Sequence, residues 1–221
     1  MRYPRPAVRT RHAGGVERTK SDVVEEIVVI AGRDLTIARP ADAEALLDEQ
    51  AFEPDEYMPY WAELWPSSRA LARRVGTRGL RGARVLELGC GLGLPSIAAA
   101  LAGGRVLATD WSPEAVAFTE RNAAANGASL QAAVVSWADT DELLARGPWD
   151  LVIGSDLLYE GRNVALVLDV IETVADHAII ADPGRPTSIE FEASAASSWD
   201  LSTEIDDGPP RVALHELRRP A

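Results

Sequence analysis

A doubly wound α/β fold around a mostly parallel sheet is what this 221-residue sequence predicts, on three observations. Short apolar runs at 85–88, 106–110, 130–135, 149–156 and 177–181 alternate with helical stretches, as parallel strands joined by crossover helices require. The first run ends in Gly89-Cys90-Gly91-Leu92-Gly93 and passes directly into an apolar helix opened by Pro95. The last two runs, near 199–205 and 211–217, are joined through Asp207-Gly208-Pro209-Pro210 with no helix between them, so they pair antiparallel.

Val23 to Ala38 alternates about Gly32-Arg33 and reads as a hairpin ahead of the main sheet. Residues 41–50 form a short acidic helical stretch, and Pro54 breaks the chain beyond it. Pro59-Tyr60-Trp61-Ala62-Glu63-Leu64-Trp65-Pro66 is rich in aromatics, and Ser67 or Ser68 can cap a helix running through Val75. Gly76, Gly79 and Gly82 close the loop before the 85–88 strand. Beyond Asp110, Ser112 is a good N-cap, Pro113 takes the first helical position and Glu114 favours the dipole. Asn126-Gly127 stops that helix. Residues 139–146 make a short helix, and 163–175 repeat apolar positions at helical spacing. Asp182-Pro183-Gly184-Arg185-Pro186 is a tight loop, and a helix near 187–197 leads to the final strands. Residues 1–20 are expected to be a flexible basic arm, and 21–221 one domain, divided into a hairpin with a cap helix (21–82) and a core (83–221).

Hydrophobic residues at 47% and charged residues at 25% describe a globular domain. No apolar run reaches the ~20 residues a membrane helix needs, and the arginine- and proline-rich start lacks the apolar segment of a secretory signal, so no membrane partner is expected. The single Cys90 cannot form an internal disulfide, which suits a reducing, cytoplasmic setting, and the chain is expected to be a monomer. Net charge is −12, and the first twenty residues carry six Lys/Arg against one acid, so the rest of the chain is more acidic still. Such a body argues against nucleic acid, whose phosphates need clustered cations, and accepts a basic substrate. Solubility alone would also account for the acids. His12, His177 and His215 lack ligand spacing, so no metal site is indicated.

The strand–turn–helix at 85–95 carries the chemistry. Glycines let backbone pass close to a ligand, and the next strand delivers Asp110, an acid placed to accept hydrogen bonds from ribose hydroxyls. This is a nucleoside-binding βαβ unit. Dinucleotide sites read G-x-G-x-x-G, whereas Gly89, Gly91 and Gly93 follow G-x-G-x-G and Leu94 stands where the third dinucleotide glycine would fall. The charge of Glu87 is expected to face the loop, repelling a pyrophosphate and tolerating a sulfonium bearing a free amine. Small size is reason enough for Cys90 in the loop.

The acid-x-G-x-G-x-G pattern resembles motif I of the class I S-adenosylmethionine (SAM) methyltransferases. Asp156-Leu157-Leu158-Tyr159 resembles the mark of the family-16-like, seven-strand lysine methyltransferases, an acid and an aromatic after the fourth core strand. The aromatic run 59–66, Trp149-Asp150-Leu151-Val152 and the 182–186 loop look like the branch containing the lysine methyltransferase of electron-transfer flavoprotein β-subunit. Some of its relatives carry nicotinamide N-methyltransferase-like labels. The resemblance covers about residues 57–186, and where that branch has an aromatic between Trp61 and Trp65 this chain has Glu63 or Leu64.

The resemblance implies a single Rossmann-like sheet of seven strands with the last antiparallel, preceded by the hairpin. It implies SAM as cofactor and S-adenosylhomocysteine as product. Glu87, Gly89, Gly91 and Gly93 would lie at the methionine end, with Cys90 and Ser155 also in the cofactor site. Asp110 would hold the ribose, Trp111 the adenosine, Trp137 the adenine edge, and Trp65 would cover the cofactor. Asp156 and Tyr159 would face the methyl-accepting nitrogen. Core packing is the plain alternative for Trp111 and Trp137, and packing over the next helix for Tyr159. Arg185 would hold its own loop or an acidic substrate group. The expected activity is N-methylation of lysine on a protein substrate. Two alternatives stay open: methylation of a small amine or nicotinamide-like heterocycle, and SAM binding without turnover.

Overall fold

The computed structural model describes residues 23–43 and 59–220. The basic arm and most of the acidic stretch at 41–50 therefore lie outside the described residues. Strand β1 (Val23–Ile30) pairs antiparallel with β2 (Arg33–Pro40). Their two-residue turn is Ala31-Gly32, both with positive φ, one residue earlier than Gly32-Arg33. That left-handed pair matches the twist of the strands it joins.

The main sheet holds β3 (Arg84–Leu88), β4 (Arg105–Asp110), β5 (Gln131–Val134), β6 (Leu151–Ser155), β7 (His177–Asp182), β8 (Asp200–Asp206) and β9 (Val212–Arg218). Their spatial order is β5-β4-β3-β6-β7-β9-β8. All are parallel except β9, which runs against both β7 and β8, with Ile180 opposite His215. The expected seven-stranded sheet and its preceding hairpin are both present. The chain winds one way from β3 through β4 to β5 and the other way through β6, so the crevice at the carboxyl ends of β3 and β6 is the switch point where ligands bind.

Helices α1 (Pro66–Gly76), α2 (Leu94–Leu101) and α3 (Pro113–Ala125) cover one face, and α4 (Thr140–Ala145), α5 (Gly161–Val174) and α6 (Pro186–Ala195) the other. Strand residues alternate between the two cores, Val85 entering the first with Leu71 and Ile97, Leu86 and Leu88 the second with Val167 and Phe191. Ser112 caps α3 as its sequence indicates, accepting from the Ala115 amide. Neither Ser67 nor Ser68 caps α1: Trp65 is the N-cap and Pro66 the first residue, because proline's fixed φ already suits that position. No helix among the described residues is long and apolar enough to cross a membrane.

The hairpin is fastened to the core by two side-chain amides, one on α3 and one at its C-cap. Buried Asn122 accepts from the Ala38 amide (2.8 Å) and donates to the carbonyls of Ala38 (3.0 Å) and Leu92 (2.9 Å). One turn on, Asn126 brackets Thr36 in the same way, accepting at 2.9 Å and donating at 2.8 Å. Asn122 thus grips strand and glycine loop at once. Asn122→Ala leaves three buried backbone groups without partners and is expected to lower stability by about 2–4 kcal/mol in urea unfolding. Asn126→Ala, at a partly buried site, should cost less.

Candidate active site

Alternation along β3 decides where Glu87 goes. It shares a face with Val85 and points beneath α2, where its Oε2 accepts from the Ser96 amide (3.0 Å) and the Ser96 hydroxyl. It is fully buried, and burial, outweighing the bonds from Ser96, pushes its pKa up to about 8. The expectation that its charge faces the loop is therefore corrected. The discrimination against a pyrophosphate acquires a different cause, since this carboxyl already occupies the amide-lined start of α2 where an anion would rest. In the folded chain Glu87 holds its proton more tightly than when unfolded, so the stability it confers is full below about pH 4.5 and is lost as pH rises through about 8. Glu87→Gln should remove that loss, giving a gain of a few kcal/mol over the native chain near pH 8 and little change near pH 4, read by thermal unfolding of the cofactor-free protein.

Above Glu87 the loop turns through positive φ at Gly89, Gly91 and Gly93. A Cβ on Gly89 would come 3.0 Å from Leu157, and one on Gly91 would come 3.3 Å from the Trp61 carbonyl. The loop is thus pressed between the β6 exit and the short 3₁₀ turn Tyr60–Ala62. Gly93 belongs to the support, packed on Thr119 at the start of α2. The buried Cys90 thiol is pushed well up by burial and by nearby Asp110 and Glu87, so it stays protonated.

Asp110 ends β4 nearly buried, its Oδ2 accepting from the Gly91 amide and its Oδ1 from the Ser112 amide, both at 3.0 Å. Burial raises its pKa despite those bonds. The carboxylate ties the loop to the second strand at the point where the nucleoside site is expected.

A cavity of about 370 Å3 opens at these strand ends. Its wall includes Trp65, Gly89, Cys90, Gly91, Asp110, Trp111, Trp137, Ser155, Asp156 and Tyr159, ten of the twelve residues singled out from sequence. Glu87 and Gly93 are not on it. It also takes in Tyr60, Trp61, Leu157, Glu160 and Arg162, to which the sequence assigned no role, and Glu63 and Leu64, where the chain departs from the branch it resembles. The aromatic run before α1 held the signal for Tyr60 and Trp61. Tyr159 brings together Tyr60 (ring centroids 5.6 Å apart) and Trp137 (6.4 Å), and Trp65 donates its indole N–H to the Tyr60 carbonyl (2.8 Å). These rings make an aromatic rim.

Asp156 lies just past β6 with φ +60, a conformation that costs a non-glycine residue, and its carboxylate is 2.7 Å from Arg185. Burial raises its pKa and Arg185 opposes the rise. Among the described residues the wall carries four carboxyl groups, from Glu63, Asp110, Asp156 and Glu160, against one basic side chain, Arg162, which pairs with Glu160.

Residues 60–181, more than half of the chain, match the family model described as "Lysine methyltransferase". Electron transfer flavoprotein beta subunit lysine methyltransferase of Xenopus laevis is 35% identical over 137 residues, which are 58% of this chain and 53% of that protein. Protein N-lysine methyltransferase METTL21A of Danio rerio is 32% identical over 118 residues, 50% of this chain and 54% of the relative. The chain therefore spans about half the length of these curated relatives. Among solved structures, a T. thermophilus 16S rRNA methyltransferase (RsmC) in complex with AdoMet and guanosine superposes with TM-score 0.62 at 17% identity, over 89% of this chain and 51% of that one. Magnesium protoporphyrin IX methyltransferase of Synechocystis PCC 6803 with bound SAM gives 0.54 at 22%, over 68% and 76%. These two share the fold; the match over residues 60–181 goes further, and by it the chain belongs to the lysine methyltransferase family.

Proposed function

We propose that this protein is a SAM-dependent N-methyltransferase whose acceptor is a lysine side chain of a protein. The observation that carries the reading is the cavity at the switch point, walled by carboxylates and aromatic rings, with the anion position at α2 taken by Glu87. That wall fits a nucleoside bearing a sulfonium and an amine, and a cationic acceptor, better than a dinucleotide with two negative phosphates. Family membership and the activities for which the relatives are named support the same reading.

Asp110 would hold the ribose, the 89–91 backbone the methionine end, and Trp111 and Trp137 the base. When bound, SAM supplies an already activated methyl group, so the protein's work is binding, orientation and exclusion of water. A lysine amine has an ordinary pKa near ~10.4 and must be neutral to attack. Desolvation among Tyr60, Trp65, Trp137 and Tyr159 favours the neutral amine, whereas the Asp156 charge favours the ammonium. Asp156 therefore aims the nitrogen by a hydrogen bond. The acidic body of the chain favours a basic protein over nucleic acid as partner.

The test is incubation with methyl-labelled SAM and an extract of cells lacking the gene, followed by mass spectrometry. Methyl increments on lysine of a discrete protein support the reading. Label confined to small molecules moves the acceptor to a free amine, and tighter binding of NAD than of SAM overturns the cofactor.

A further inference from the structure

Asp182 ends β7 fully buried, and its Oδ1 is met by the amides of Gly184 and Arg185 (2.8 Å each) and by the Ser188 hydroxyl. Its other oxygen accepts from Arg185 Nη1 at 3.0 Å, and the same Nη1 lies 2.7 Å from Asp156 Oδ1. One guanidinium nitrogen thus serves two carboxylates. The turn carrying Asp156 is held from the same side: its amide donates to the Ala181 carbonyl (2.9 Å), and the Thr187 hydroxyl donates to the Leu158 carbonyl. Neither Asp156 oxygen has an aligned hydrogen-bond donor among the described residues, the Arg185 contact being close but off-axis. The buried hydroxyl of Ser67, on α1, faces the Asp156 carboxylate, again without a well-aligned hydrogen bond.

We propose that Arg185 is a positioning residue, bridging Asp182 and Asp156 so that Asp156 stands at the cavity wall ready to receive one acceptor ammonium. The proposal rests on the methyltransferase reading above. Arg185 is not on the cavity wall, so it acts through Asp156. Two carboxylates and one guanidinium leave one negative charge unmatched, and the place where it meets the cavity is Asp156. The groups facing Asp156 are Arg185 and Asp182 from the β7–α6 connection and Ser67 from α1. Burial and the Asp182 charge both raise the Asp156 pKa, and Arg185 is the cation that opposes them. Without it the Asp156 carboxyl holds a proton more readily, which weakens the charge the cavity offers an ammonium.

The test uses the full chain loaded with S-adenosylhomocysteine and titrated with n-butylamine, which mimics the end of a lysine side chain, with NMR following the Tyr159 and Trp65 rings. Arg185→Gln should weaken n-butylammonium binding about tenfold near pH 7. The deficit should shrink as pH rises, because deprotonation of Asp156 restores its charge while the amine, pKa near ~10.4, is still an ammonium. Arg185→Lys, which keeps the charge, should bind more tightly than Arg185→Gln near pH 7, and S-adenosylhomocysteine affinity should be the same in all three proteins. A deficit in Arg185→Gln that does not change with pH, or equal losses in the Lys and Gln variants, would show a structural role and overturn the proposal. Native binding by Arg185→Gln at all pH values also overturns it. Failure of the native chain to bind S-adenosylhomocysteine sinks the methyltransferase reading itself, and the proposal with it.

Discussion

Asp156→Asn is expected to lower methyl transfer by about three orders of magnitude while leaving SAM affinity within about twofold of the native value. The substitution keeps the shape of a side chain that sits past β6 at φ +60, beside Arg185 and on the cavity wall. It removes the charge. An amide can present an oxygen to the acceptor nitrogen, but it can also turn its NH2 inward, and it cannot draw an ammonium out of water into an aromatic-walled cavity. The Arg185 guanidinium would then lack its second carboxylate, adding repulsion toward an incoming cation. Single-turnover transfer of labelled methyl from SAM to protein, with calorimetry for the cofactor, separates the two quantities. An equal fall in both would move Asp156 into the cofactor site.

Asp110→Ala is expected to act the other way round, weakening SAM binding about a hundredfold and so reducing transfer only as far as the site is left empty. The carboxylate lies on the cavity wall, where the proposed reading puts the ribose, and also fixes the Gly91 and Ser112 amides at 3.0 Å. Charge-assisted bonds of this kind are worth about 1.5–3 kcal/mol each when lost, and a hundredfold in affinity is about 2.7 kcal/mol. Saturating SAM should restore much of the transfer rate in Asp110→Ala and none of it in Asp156→Asn. Calorimetry against concentration-dependent turnover checks the contrast.

Much of this arrangement is legible in the residues because local rules dominate where they stand. Ser112-Pro113-Glu114 is a strong helix start, and the spacing from Gly89 to Asp110 leaves room for one helix and one strand. The orientation of Glu87 was open to the same kind of reasoning: counting back two residues to Val85 puts it under the helix, not over the loop. Other features depend on packing between distant segments. Nothing near Trp61 says that its carbonyl will close on Gly91, and nothing near Arg185 says that it will reach Asp156. The Arg185 contact exists because the sheet sets β6 beside β7, and the Trp61 contact because α1 packs on α2 and carries the turn before it to the glycine loop. Ser67 looks like a helix cap and is instead a buried hydroxyl beside Asp156, because Pro66 had already taken the first helical position.

The bracket that Asn122 forms has a bearing on how this molecule can be divided. A shortened chain starting at residue 83 would keep every strand of the large sheet, yet it would strip Asn122 and Asn126 of their β2 partners and leave the Leu92 carbonyl as the sole remaining backbone tether of the Asn122 amide. Drift in the paired strands at the front of the protein is therefore transmitted to the glycine loop on the cavity wall. The two parts should be inherited, exchanged or engineered as a unit.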